Sequence, residues 1–129
     1  MAHRSVNPSG APAAVGPYSP VVIHEDTKTV YLSGQVPLDP ETGAMVGDEI
    51  VAQTHRVLQS VKAALEGAGS GMDRVLKTTV YMINLGDFAK MNDVYATYFP
   101  GVKPARATVQ VGALPKGALV EIDAIATLK

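Results

Sequence analysis

Hydrophobic and polar residues alternate with period two over several short stretches and recur at helical spacing over two longer ones. "PVVIHED" and "TVYLSGQ" have the alternating, β-branched character of strands, joined by a short polar turn around Asp26–Lys28. "PLDPETGAM" is turn chemistry. With Asp48 as N-cap, Ile50, Thr54, Val57, Leu58, Val61 and Leu65 fall on one helical face, and Gly67 and Gly69 end that helix. "RVLKTTVYM" predicts a strand with Leu76, Thr78, Val80 and Met82 on one face and Val75, Lys77, Thr79 and Tyr81 on the other. A second helix follows, with Phe88, Met91, Tyr95 and Tyr98 on one stripe and Pro100 just beyond its end. "ARATVQV" and "ALVEIDAIA" are two closing strands around the turn "GALPKG".

The predicted order is therefore strands, helix, strand, helix, two strands, an α+β arrangement in one domain spanning residues 1–129. There is no internal repeat and no low-complexity linker. Two helices cover one face of a mixed sheet. The other face then carries Thr79 and Tyr81, joined by Arg106, Thr108, Gln110, Glu121 and Asp123 if the strand parities align. A mixed sheet face with no helix left to cover it is expected to be buried against other copies of the chain.

Composition narrows the function more than the fold. Lys and Arg number 11 against 12 acidic residues, for a net charge of −1, and they are scattered. That argues against a surface built for nucleic acid or an anionic membrane. The absence of cysteine excludes disulfides, thiolate nucleophiles and cysteine-bound zinc. No apolar run approaches the ~18 residues of a membrane helix. The opening "MAHRSVNPSGAPAAVGPYSP" is poor in acids but has a single Arg and repeated Pro and Gly, so it forms neither an amphipathic transit helix nor a signal-peptide apolar core. A cytoplasmic protein is expected.

The candidate chemistry lies in the closing strands. Arg106, Thr108 and Gln110 share one face of "ARATVQV"; Glu121 and Asp123 share one face of "LVEIDAIA". If these strands form a hairpin, Arg106, Thr108, Glu121 and Asp123 lie on one surface, with the register left open. On residues alone two readings stand. One is a solvated strand face with cross-strand ion pairs of roughly 0.2–1 kcal/mol each. The other is an anion clamp, in which the planar guanidinium of Arg106 grips a carboxylate and Glu121 is the acid/base or orients a water. His3, His24 and His55 share no metal-ligand spacing, so no metal site is expected. "SGQVPLDPETG" lacks a phosphate-cradling pattern, and Ser33 lacks a nucleophile-elbow setting. By residue type, Tyr18 reads as a packed ring, Asn92 as a surface residue and His55 as lying on the outer face of its helix.

"PARATVQVGALPKGALVEI", Pro104 to Ile122, resembles the signature of the Rid (reactive intermediate deaminase, or YjgF) family. That signature is an Arg after small residues, an apolar strand, a Leu-containing turn, then an aliphatic residue, Glu and Ile or Met. "APAAVGPYSP", "LSGQVPLDPETG" and "LGDFAKMNDVYATYF" are similar to the family's opening loop, second strand with its turn, and second helix. The resemblance implies a chorismate-mutase-like α+β fold, with a mixed sheet and two helices on one face, assembled as a homotrimer with clefts between subunits. It also implies a 2-iminobutanoate/2-iminopropanoate deaminase, hydrolysing carboxylate-bearing imines and enamines to 2-keto acids and ammonia without a cofactor. By position, Arg106 would bind the substrate carboxylate and Glu121 would hold or activate the attacking water. Tyr18, Ser33, Asn92 and Thr108 would line the cleft, with Gly34 permitting close approach beside Ser33. Two positions depart from the pattern: Thr108 stands where many members carry Cys, and Gln110 replaces a frequent acid. These departures bear on substrate preference. The competing functions are a non-catalytic 2-keto-acid-binding regulatory trimer, using the same Arg106, and an endoribonuclease. The scattered basic residues and the lack of a histidine pair argue against the endoribonuclease.

Overall fold

The computed structural model describes residues 2–129. Six strands form one sheet: β1 (His3–Val6), β2 (Val21–His24), β3 (Thr29–Gln35), β4 (Val75–Met82), β5 (Ala105–Gln110) and β6 (Val120–Thr127). Their spatial order is β1-β2-β3-β6-β4-β5, parallel only between β4 and β5. Helices α1 (Ile50–Gly67) and α2 (Phe88–Tyr98) are the two crossovers. The sheet is mixed, and the helices pack on one face of it, as predicted. Among the described residues, no helix is long and apolar enough to cross a membrane.

The last strand in sequence occupies the middle of the sheet. Its period-two pattern is complete: Val120, Ile122, Ala124 and Ala126 are buried against the helices, while Glu121, Asp123, Ile125 and Thr127 face the other way. Val57, Leu58, Val61 and Leu65 of α1, with Met91, Val94 and Tyr95 of α2, meet this face together with Val30, Leu32, Val80 and Met82. The apolar area these residues remove from water is the main favourable contribution to the fold.

Four details differ from the sequence expectations. The first helix is capped by Glu49, not Asp48; the Glu49 carboxylate accepts from the amides of Val51 and Ala52 at 2.9 and 2.7 Å. Leu76 is 54% exposed, because a register shift between Val75 and Lys77 places it outside the regular alternation, and Val75 packs on the core in its stead. The segment before Gly10 contributes β1, a four-residue edge strand held by backbone pairing to β2 and without hydrophobic alternation.

The fourth difference decides the shape of the site. The closing strands do not form a hairpin, since β4 lies between them. In the parallel β4–β5 register, Thr78 faces Arg106, Val80 faces Thr108 and Met82 faces Gln110. Thr78, Val80 and Met82 are buried on the helix side, so Arg106, Thr108 and Gln110 belong to that side too. The expectation that Arg106, Thr108 and Gln110 share the uncovered face with Glu121 and Asp123 is therefore incorrect. Thr79 and Tyr81 do lie there, paired with Asp123 and Glu121 respectively.

Candidate functional site

The sequence-predicted residues fall into two groups on opposite faces of the sheet. Each group, Thr108 excepted, lines its own open pocket.

The first group is built on β5 and α2. Arg106 projects from the edge strand toward the helix, with its guanidinium carbon 4.8 Å from the Tyr95 ring centre and 5.5 Å from that of Phe88. Phe88, Asn92 and Tyr95 follow at helical spacing, so one stripe of α2 presents two rings and an amide to this arginine. Asn92, Tyr95, Ala96, Lys103, Pro104 and Arg106 line a pocket of about 480 Å³. Among the described residues Arg106 makes no ion pair. The pocket thus holds two cations and no acid. Asn92 Oδ1 and, two residues beyond Arg106 on the same face of the strand, Thr108 Oγ1 are buried without a hydrogen-bond partner. Thr108 does not line the pocket surface.

The second group lies where β3 meets β6. Ser33 and Gly34 form a β-bulge, because Leu32 pairs with Ala124 and Gln35 with Ile122. Gly34 has a packing reason to be glycine. A Cβ there would overlap Glu121 Oε2 and lie 2.7 Å from its Cδ, so the carboxylate rests directly on the Gly34 backbone. Ser33 ties down the preceding loop: its amide donates to the Pro20 carbonyl at 2.9 Å and its hydroxyl to the Ser19 carbonyl at 2.7 Å. That loop places Tyr18, and Tyr18, Ser33, Gly34, Pro115 and Glu121 line a pocket of about 310 Å³. The Ser33 hydroxyl proton is committed to the scaffold, which leaves only its lone pairs for a ligand.

Electrostatics separate the two halves. Burial, and then repulsion from Asp123, raise the Glu121 pKa above the ordinary carboxylate value. Asp123 itself accepts a 2.9 Å hydrogen bond from the Tyr81 hydroxyl, whose pKa is raised by burial and by that bond. One pocket is a cationic slot that can accept a carboxylate, and the other holds a carboxyl group that can take up a proton nearer neutral pH than an ordinary carboxylate does.

Gly34→Ala tests the second half in isolation. The clash falls on the flexible end of Glu121, so the variant is expected to fold with the carboxylate displaced. A misplacement on the order of 1 Å costs about 10²-fold in rate; thermal melting beside steady-state kinetics separates this from misfolding.

Sequence reasoning missed Phe88 and Tyr95 as neighbours of Arg106, and Lys103 and Pro115 as lining residues. Phe88 and Tyr95 carried a signal, since they lie on the stripe predicted to be apolar, which is also the stripe that meets β5. Pro115 starts the 3₁₀ turn Pro115–Gly117 that leads into β6. The histidines lie elsewhere: His3 pairs with His24 across β1 and β2, and His55 is exposed on α1 with Nδ1 3.1 Å from the Tyr98 hydroxyl.

Comparison with known proteins agrees with this architecture. A family model described as endoribonuclease L-PSP matches residues 8–128. Protein DfrA of Myxococcus xanthus is 50% identical over 126 residues, covering 98% of this chain and 96% of its own. The 2-iminobutanoate/2-iminopropanoate deaminase of Mus musculus is 45% identical over 123 residues, covering 95% of this chain and 90% of its own. The crystal structure of YyfA, a Rid-family protein of Yersinia pestis, superposes with a TM-score of 0.94 at 44% identity, covering 98% of this chain and 100% of that one. With nearly the whole sequence matched at these identities and the sheet order and helix placement in agreement, the chain belongs to the Rid (YjgF/RidA) family, whose family model bears the description endoribonuclease L-PSP.

Proposed function

We propose that this protein hydrolyses 2-imino acids and their enamine tautomers, 2-iminobutanoate and 2-iminopropanoate among them, to 2-keto acids and ammonia, in clefts between the subunits of a homotrimer. The observation that carries this reading is Arg106: a cation held on aromatic rings beside a pocket, with no acid to neutralise it. An arginine so held is set to receive a carboxylate from outside the chain, since no acid within the described residues pairs with it. The mouse relative's name supports the substrate class.

The placement of the two groups on opposite faces supports an intersubunit cleft. Arg106 lies on the helix side at the sheet edge and Glu121 on the uncovered side, so one chain does not bring both to one small substrate. The uncovered face carries Tyr31, Val109 and Ile125 among its polar residues, and Tyr31 and Val109 are exposed in the single chain. Packing that face against a second copy buries it and sets the Glu121 pocket of one chain opposite the Arg106 pocket of the next.

In such a cleft Arg106 receives the substrate carboxylate on two parallel N–H donors. The adjacent protonated C=N carbon is then positioned for water. Glu121 takes a proton from that water as its oxygen bonds to carbon, giving a carbinolamine. The proton returns to nitrogen, the C–N bond breaks to release ammonia, and the hydroxyl proton passes to the Glu121 carboxylate as the carbonyl forms. A base with a raised pKa is better matched to neutral pH than an ordinary carboxylate. Positioning supplies much of the rest, since the iminium carbon is already electrophilic.

The test is to generate either imine in situ with an amino-acid oxidase and trap it with semicarbazide. The protein is expected to suppress semicarbazone formation from both. No suppression, with 2-ketobutyrate still bound at Arg106, contradicts hydrolysis and leaves a keto-acid-binding protein.

A further inference from the structure

An arginine that receives a carboxylate poses a positioning problem. Its long side chain loses much rotamer freedom when fixed. The common device for fixing it, an internal carboxylate, would compete with the ligand and neutralise the charge that attracts it. The packing around Arg106 meets this need with neutral groups. The parallel register sets Thr78 beside Arg106 on the neighbouring strand. Thr78 is 1% exposed, and its hydroxyl lies 2.7 Å from the hydroxyl of Tyr95, itself 6% exposed. Phe99 backs the same ring at 4.7 Å between centres. The Tyr95 ring is therefore held at its hydroxyl end by one strand and at its side by the end of its own helix. The guanidinium carbon sits 4.8 Å from its centre, with Phe88 as a second plate at 5.5 Å. Burial raises the phenol pKa, so Tyr95 stays neutral and adds no competing anion.

We infer that Tyr95 is a positioning residue for Arg106: pinned by Thr78, its ring fixes the plane of the guanidinium while leaving the charge and the donor fork free for a substrate carboxylate. This rests on the reading of Arg106 as a carboxylate clamp. The ring face, not the hydroxyl, does the holding, and the Thr78 bond keeps the ring from turning. Stacking on a ring orients a planar guanidinium and has no equivalent for the compact ammonium of lysine.

The experiment combines side-chain NMR of Arg106 with binding of 2-ketobutyrate and of its uncharged analogue 2-ketobutyramide, in wild type, Tyr95→Phe, Tyr95→Leu and Arg106→Ala. In wild type the Arg106 Nε–H proton is expected to be shifted upfield by the ring current. Tyr95→Phe keeps the plate but loses the Thr78 bond, so it retains most of that shift and binds 2-ketobutyrate within about threefold of wild type. Tyr95→Leu loses the shift and binds 2-ketobutyrate roughly 3- to 30-fold more weakly, with the amide unaffected and KM moved more than kcat. An unchanged affinity in Tyr95→Leu, an equal loss for acid and amide, or a Tyr95→Phe as impaired as Tyr95→Leu overturns the positioning role. Should Tyr95→Leu fail to fold, Phe88→Leu at a 37% exposed position removes the second plate. Its expected signature is a reduced upfield shift and a loss of about threefold, and an unmoved Arg106 resonance overturns the proposal. The parent reading fails on a different arm: Arg106→Ala binding 2-ketobutyrate as wild type does overturns the clamp, and Tyr95's role with it.

Discussion

Arg106→Ala is expected to lower kcat/KM for 2-iminobutanoate by roughly 10²- to 10⁴-fold, since each of two charge-assisted hydrogen bonds to a carboxylate contributes about 1.5–3 kcal/mol. The fold should survive the change. Arg106 is exposed on an edge strand and has no ion-pair partner among the described residues, so its removal strands no buried charge. Substitutions at such positions ordinarily shift stability by about 0.5 kcal/mol or less. Arg106→Lys keeps the charge and loses the fork, and an intermediate activity is expected. Steady-state kinetics with thermal melting of each variant checks both parts, and an Arg106→Ala protein with wild-type kcat/KM contradicts the clamp.

The second large effect is expected at Glu121. Glu121→Gln removes the proton acceptor without changing the size of the side chain and should lower kcat by about 10²- to 10⁴-fold. The pH dependence has a definite sign. The Glu121 pKa is raised, first by burial and then by Asp123, and in the proposed mechanism the working form is the ionised one. Activity therefore rises with pH through a limb lying above the ordinary carboxylate range, and Glu121→Gln abolishes that limb in whatever activity remains. Asp123→Asn removes the lesser cause, so the limb moves partway toward lower pH. In the proposed cleft the Arg106 guanidinium of the neighbouring copy pulls the limb down, and a bound carboxylate offsets that pull. The limb in kcat is thus expected at higher pH than the limb in kcat/KM.

Stability follows the same linkage in reverse. A carboxyl whose folded pKa is raised costs the native state nothing below its unfolded value and destabilises it as pH rises through the folded value. Glu121→Gln is accordingly expected to be at least as stable as wild type at pH 7, with the advantage vanishing toward acid. Loss of activity with retained stability is the mark of a group kept for chemistry.

How much of this was legible in the sequence depends on whether a feature is local. The alternation in "LVEIDAIA" and the helical spacing from Ile50 to Leu65 reflect burial on one face, and both elements form where the pattern puts them. Leu76 reads as core because a strand pattern assumes unbroken alternation, whereas a bulge is a property of two paired strands. β1 was missed because an edge strand of four residues needs backbone pairing and little side-chain burial. The gravest misreading concerned Arg106 and Glu121. Neighbouring strands in sequence pair often enough to suggest a hairpin, but the α2 crossover puts β5 beyond β4 and parallel to it, which turns Arg106 to the helix side. The family signature singled out both residues, but their relative placement depends on pairings that no short motif contains. Gly34 was legible as a close approach, and the atom it admits, Glu121 Oε2, comes from a strand 87 residues later in the numbering.

The measurement that tests the central claim most directly is complementation between the two dead variants. If each site takes Arg106 from one chain and Glu121 from the next, coexpressed Arg106→Ala and Glu121→Gln chains mix within one assembly. About a quarter of the clefts then receive both wild-type halves at equal expression in a closed ring. Imine hydrolysis is expected to be restored to roughly that fraction of wild type, while either variant expressed alone stays inactive. Mixed assemblies, verified by differential tagging, that remain as inactive as the separate variants would contradict a site divided between chains.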